Sequence, residues 1–254
     1  MKYNFRLFIF LVTALISTKV SASQSGGGNN QAIPLPQDSA QIQAAHNFAN
    51  FCASCHRDDL SWFAKRKWKY GKGIGDGSVP EDNPFVNQPG ANKTIWSYGH
   101  RNPQGLFYNL ETGVFWEHEH GPKGGDELNI IQPGKNYGWP VITYGINYDG
   151  TIITKDTAKV GMDQPITYWV PSIAPCGITF VKGGKYIGWE GNILMGSLRF
   201  RYLVRCELKD KTVVHKEILL PNIGRLRNVI EGPDGYIYIA VENPGMIFRL
   251  VPVP

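Results

Sequence analysis

Beyond about residue 140 the chain alternates short apolar runs with turn residues: VITYGINYD, ITYWVP, GITFVKG, NILMGSL, RYLVRCEL, TVVHKEILL, YIYIAVE and MIFRLVPV. Each run is aromatic or β-branched and is bounded by Gly, Pro, Asn or Asp, which predicts short strands separated by turns. Asp234-Gly235 between two such runs predicts a hairpin turn. A loose echo, Pro-x-Gly ahead of an alternating strand, occurs at Pro103-Gln104-Gly105, Pro175-Cys176-Gly177 and Pro233-Asp234-Gly235. Repeated four-stranded units of about 40 to 50 residues predict propeller blades, three to four of them over residues 93–254.

The first part of the chain follows other rules. Lys2 and Arg6, the apolar run Leu7–Ile16 and the small residues Val20-Ser21-Ala22 predict a secretory signal over residues 1–22, with a run too short to span a bilayer and no stable span left after cleavage, a retained anchor being the alternative. The chain is thereby assigned to the periplasm or the exterior. Residues 23–37 hold almost nothing to bury and predict a flexible linker. In residues 38–70, Asp38-Ser39 offers an N-cap, and Ile42, Ala45, Phe48, Ala49 and Cys52 recur at helical spacing. That helix runs into Cys52-Ala53-Ser54-Cys55-His56, the c-type haem attachment pattern, in which two thiols form thioethers and the adjacent imidazole reaches the iron. The basic, aromatic stretch that follows, Arg57–Tyr70, supplies no Met as a distal ligand. Residues 71–254 form the predicted β domain.

Composition agrees with a folded, strand-rich chain: 254 residues, 42% hydrophobic, 12% aromatic, with 29 Gly and 17 Pro. The formal charge of +5 loses three cations and no acid with the signal and falls to +2, which gives nucleic-acid binding little electrostatic support. Cys176 and Cys206 are either a disulfide or two buried thiols. The glycine-rich Gly71–Gly77 lacks the strand and helix that a phosphate loop needs and is assigned to turns.

The densest candidate chemistry lies between Gly99 and Pro140. Gly121-Pro122 and Gly124-Gly125 leave main-chain carbonyls sterically open, and the carboxylates of Asp126 and Glu127 follow at once. Calcium takes six to eight such oxygens, so the stretch reads either as a calcium loop or as a charged surface loop with a Gly-Pro turn. His118 and His120 share one face of a predicted strand, but two ligands do not close a zinc site, and zinc ranks below calcium.

The motifs GHRNPQGL, EHEHGPKGGDELN, NYGWP, APCGITF, LMGSLRFRYL and GRLRNV with GPDGYIYIA resemble the soluble aldose, or glucose/sorbosone, dehydrogenases over about residues 75–254. The resemblance implies an all-β, six-bladed propeller that uses pyrroloquinoline quinone (PQQ) and calcium, of which three to four blades lie here behind a short helical, cytochrome c-like segment. It implies that Arg101 and Asn102 contact cofactor or substrate, and that Arg199, Arg225 and Arg227 bind quinone carboxylates. Arg199 stands where the family commonly has Lys. Carbonyls of Gly121 and Pro122 become ligands of the quinone-bound calcium, and Glu127 and the Tyr137 carbonyl ligands of a second calcium. Cys52 and Cys55 would hold haem c, with His56 on its iron.

The expected function is oxidation of an aldose or alcohol through PQQ, with electrons passed to haem c or another cytochrome. The family's catalytic His lies on an earlier blade, and no residue here matches it, so weak or no turnover is expected. The alternative is a non-catalytic haem-binding or electron-transfer remnant, or a gene fragment. Two half-propellers could also bury their open edges in a homodimer.

Overall fold

The computed structural model describes residues 5–10, 79–243 and 245–252. The expected linker, the cytochrome-like helix and the Cys52–His56 pattern lie outside these residues. Twelve strands, and no helix among the described residues, form three antiparallel four-stranded sheets. The first contains β2 (Pro103–Asn109), β3 (Val114–Glu119), β4 (Asp126–Ile131) and the short β5 (Thr167–Trp169) in sequence order. The second contains β6 (Pro175–Phe180), β7 (Ile193–Ser197), β8 (Leu203–Lys209) and β9 (Thr212–Leu219). The third contains β10 (Arg225–Glu231), β11 (Ile237–Glu242) and β12 (Met246–Pro252), and β1 (Phe5–Phe10) supplies its fourth strand by pairing with β12. That pairing lies inside the expected signal segment, so removal of residues 1–22 would leave β12 at the sheet edge.

The up-and-down order is what defines a propeller blade. Three blades are therefore present among the described residues, at the lower bound of the expected count. β6 packs between β2 and β10, which aligns the first strands of the three sheets. Most of the expected strands form. VITYGINYD does not: residues 141–149 are turns and an isolated bridge at Ile146. Thr143 and Gly145 there serve a loop instead, with the Gly145 N–H donating to Thr143 Oγ1 at 3.1 Å. The Pro-x-Gly echo also divides. Its first two copies open β2 and β6, each with a bulge, whereas the third is the β10–β11 turn, with Gly235 at φ 75°.

The middle sheet is apolar on both faces because it feeds two cores. Ile193, Met195, Val204 and Cys206 meet Trp116 and Leu128 of the first sheet, while Leu194 and Leu203 meet Leu226, Ile237, Ile239 and Leu250 of the third. Alternate residues of a strand point to opposite faces, so β7 is buried at every position. Strand β9 carries the polar pattern of an exposed edge.

Cys176 and Cys206 are separate buried thiols. Cys176 donates to the Arg227 carbonyl at 2.9 Å, and burial pushes the Cys206 thiol up to about 12. Between pH 9 and 12 the unfolded chain therefore releases a proton that the folded chain keeps, and stability falls as pH rises. The slope is about 1.4 kcal/mol per pH unit for one group. Cys206→Ala is expected to flatten that alkaline slope in urea titrations, and an unchanged slope would assign it elsewhere.

Candidate functional site

Because every sheet runs up and down, the starts of first strands and the ends of second strands share one edge. The register shows this directly: Pro103 faces Glu119, Pro175 faces Ser197 and Arg225 faces Glu242. Arg101 and Asn102 precede β2, Gly121 and Pro122 lie between β3 and β4, Arg199 follows β7, and Arg225 and Arg227 open β10. Thus residues scattered over 127 positions of sequence are gathered at one end of three blades.

Within that end a small cleft is lined by Arg101, His120, Gly121, Glu127, Tyr137 and Trp139, among others. All of these but Trp139 were singled out from sequence, His120 for zinc. The Arg101 guanidinium donates to the His120 carbonyl at 2.8 Å and lies 5.3 Å from the centre of the Trp139 ring, which fixes its direction. Asn102 is exposed and does not line the cleft; its carbonyl accepts from the His120 N–H at 3.0 Å. The other arginines do not reach this cleft. Arg199 donates to the Ser172 carbonyl at 3.3 Å, and Arg225 and Arg227 share Glu242 at 3.3 and 2.6 Å. The Arg225 and Arg227 hydrogen bonds hold the Glu242 carboxyl below its ordinary value.

Asp126 proves to be structural. Its Oδ1 accepts from the Gly121 N–H at 2.9 Å; its Oδ2 accepts from the Ile173 and Ala174 N–H groups at 2.7 and 2.8 Å; and the Ser172 hydroxyl lies within 2.9 Å of both oxygens. It fastens the Gly121–Gly125 loop to the β5–β6 connection and has no oxygen to spare for a cation. The two histidines are also structural. The His118 Nε2–H donates to the Gly177 carbonyl at 3.1 Å and that of His120 to the Pro175 carbonyl at 2.7 Å, so each imidazole ties β3 to β6. Complete burial lowers His118 to about 4 and keeps it neutral.

Of the residues nominated for calcium, Gly121, Pro122 and Glu127 fit a cation and Asp126 does not. Among the described residues neither the Gly121 nor the Pro122 carbonyl accepts a hydrogen bond, although both residues are buried. Glu127 stands beside Glu119 across the β3–β4 ladder, and burial with that neighbouring charge raises its carboxyl to about 8. A carboxylate so destabilised is what a bound divalent ion would relieve.

Sequence reasoning missed Glu117, Glu119 and Asn129. Glu119 accepts the N–H groups of both Arg101 and Asn102, the latter at 3.0 Å, and so sets the entry of β2. The available signal was the alternation Glu117-His118-Glu119, which puts both acids on one strand face and both neighbouring histidines on the other. Tyr137, Trp139, Ile142 and Thr143 line the cleft around Glu119, a neighbourhood that no local pattern carries.

Residues 69–249 match the glucose/sorbosone dehydrogenase family. The chain is 41% identical over 180 residues to the aldose sugar dehydrogenase YliI of Escherichia coli, an alignment covering 69% of this chain and 48% of that protein. The crystal structure of a glucose dehydrogenase superposes with a TM-score of 0.67 at 45% identity, covering 70% of this chain and 53% of the other. The PQQ-bound aldose sugar dehydrogenase of Streptomyces coelicolor superposes with a TM-score of 0.54 at 30% identity, covering 70% and 50%. The chain thus spans about half the length of the relatives it matches. On the family match and the shared blades, this chain belongs to the glucose/sorbosone dehydrogenase family.

Proposed function

We propose that this chain supplies one wall of a PQQ-dependent aldose dehydrogenase site. The observation that carries the reading is the convergence of Arg101, Asn102 and the open Gly121 and Pro122 carbonyls at one end of the blades. When bound, PQQ accepts the electron pair and hydrogen taken from the oxidised carbon of the sugar. Arg101 binds and orients a carboxylate, because a planar guanidinium held by Trp139 and the His120 carbonyl is pre-organised for a two-point contact. Gly121 and Pro122 hold a calcium ion through their carbonyls, and Glu127 with the Tyr137 carbonyl holds a second. Arg225 and Arg227 add positive potential from the neighbouring blade while paired with Glu242. The substrate's proton acceptor is not assigned among the described residues.

In this reading the protein works in the periplasm, after a signal over residues 1–22, and passes electrons to haem c held by Cys52, Cys55 and His56. Pyridine haemochrome absorbance on protein exported to the periplasm tests the haem. Titration of the calcium-loaded chain with PQQ, followed by tryptophan fluorescence, tests the wall itself. Calcium-dependent quenching is expected, and Arg101→Ala should weaken it about 10- to 100-fold, as for one charged hydrogen-bonded contact. Quenching that is indifferent to calcium and to Arg101 would refute the assignment. Dye reduction with aldoses then reports turnover.

A further inference from the structure

Glu117, Glu119 and Asn129 form a buried acidic cluster, exposed by only 4%, 3% and 0%, on one face of the β3–β4 ladder. All three carboxylates of the neighbourhood lean on one amide: Asn129 Nδ2 donates to Glu117 at 3.1 Å and to Glu119 and Glu127 at 3.4 Å each. Among the described residues no Lys or Arg pairs with any of them, and the sole ion-pair partner is His100, 3.4 Å from Glu119. Glu117 Oε1 and Asn129 Oδ1 are buried without a partner. Two adjacent buried carboxylates with an orphaned oxygen each on Glu117 and Asn129 are costly unless a cation joins them.

The geometry points to a second kind of metal site, in which His100, Glu117 and Glu119, with Asn129 Oδ1, hold a divalent cation of the manganese class. The imidazole and carboxylate ligand atoms already lie within 4.8 Å of one another. His100 is set up as a ligand: its Nε2 is 2.9 Å from Ser97 Oγ, leaving Nδ1 toward Glu119, and its ring stacks on Tyr137 at 4.5 Å. Such an outer hydrogen bond fixes the tautomer and direction of a metal-bound imidazole. One nitrogen among hard oxygens favours manganese over calcium, which takes oxygen ligands. The site uses none of the residues assigned to calcium above and does not rest on the quinone reading.

The test uses the full chain, stripped with chelator and titrated with MnCl2 in a large excess of calcium, with binding read calorimetrically and by electron paramagnetic resonance. One equivalent of manganese is expected to bind and to raise the melting temperature. Glu117→Gln keeps the shape and the Asn129 contact, folds because it removes a buried charge, and should weaken binding about 100-fold or more, beyond what loss of a supporting contact does. His100→Gln should remove the nitrogen hyperfine coupling from the bound ion. No binding, or equal binding by wild type and Glu117→Gln, overturns the site and leaves a proton-sharing acid pair. Loss of manganese to calcium one for one, sensitive to Glu127→Gln alone, overturns it in favour of a calcium ion.

Discussion

Asp126→Ala is expected to lower stability by roughly 3–5 kcal/mol, an effect measurable as a leftward shift of the urea midpoint. The side chain is fully buried and accepts three backbone N–H groups and one hydroxyl. Removing it strands the buried Gly121 and Ile173 N–H groups, at about 1–3 kcal/mol each before relaxation, and leaves the half-buried Ala174 N–H only Ser172 Oγ at 3.3 Å. Asn in its place keeps one acceptor oxygen and forces an NH2 against backbone donors, so Asp126→Asn should recover little. The same change frees the Gly121–Gly125 loop, so calcium-dependent PQQ binding should fall with stability. A variant that retains wild-type stability would show that the loop is anchored by its glycine and proline geometry alone.

Gly121→Ala should have the second largest effect. A Cβ there would lie 2.1 Å from the Gly124 carbonyl oxygen and 2.5 Å from the Gly125 carbonyl. Both obstacles are main chain, so no rotamer change relieves them, and the loop must shift. Overpacking of this kind costs about 1–3 kcal/mol, and here the shift also pulls the Gly121 N–H from Asp126. Calcium affinity should drop about tenfold or more, because the Gly121 and Pro122 carbonyls move together. Calorimetric calcium titration of the variant checks this, and unaltered affinity would remove these carbonyls from the ligand set.

Both predictions turn on a loop whose ingredients, though not its wiring, were legible. Gly121-Pro122 and Gly124-Gly125 announced a tight loop with open carbonyls. Asp126 looked like a second hard ligand beside Glu127, yet neighbouring strand residues face opposite ways, and Asp126 turns to the β5–β6 connection while Glu127 turns to Glu119. His118 and His120, weighed as metal ligands, face β6 for the same reason and spend their Nε2 protons on its backbone.

The sequence by itself determined the strands and the family. Period-two runs bounded by turn residues are local, and the motifs from GHRNPQGL to GPDGYIYIA are contiguous, so both survive without a fold. It misjudged VITYGINYD, whose β-branched and aromatic residues satisfy propensity while tertiary contacts hold them as a loop. Only the tertiary structure decided the rest. Up-and-down pairing put Arg101, Gly121, Arg199 and Arg225 at one end of three sheets, and the β3–β4 register brought Glu117 and Glu119 against Asn129 and Glu127 in a buried acidic cluster. Such a cluster depends on residues far apart in the chain meeting across β3, β4 and a loop, and burial is what converts them from solvated acids into a site that needs a cation.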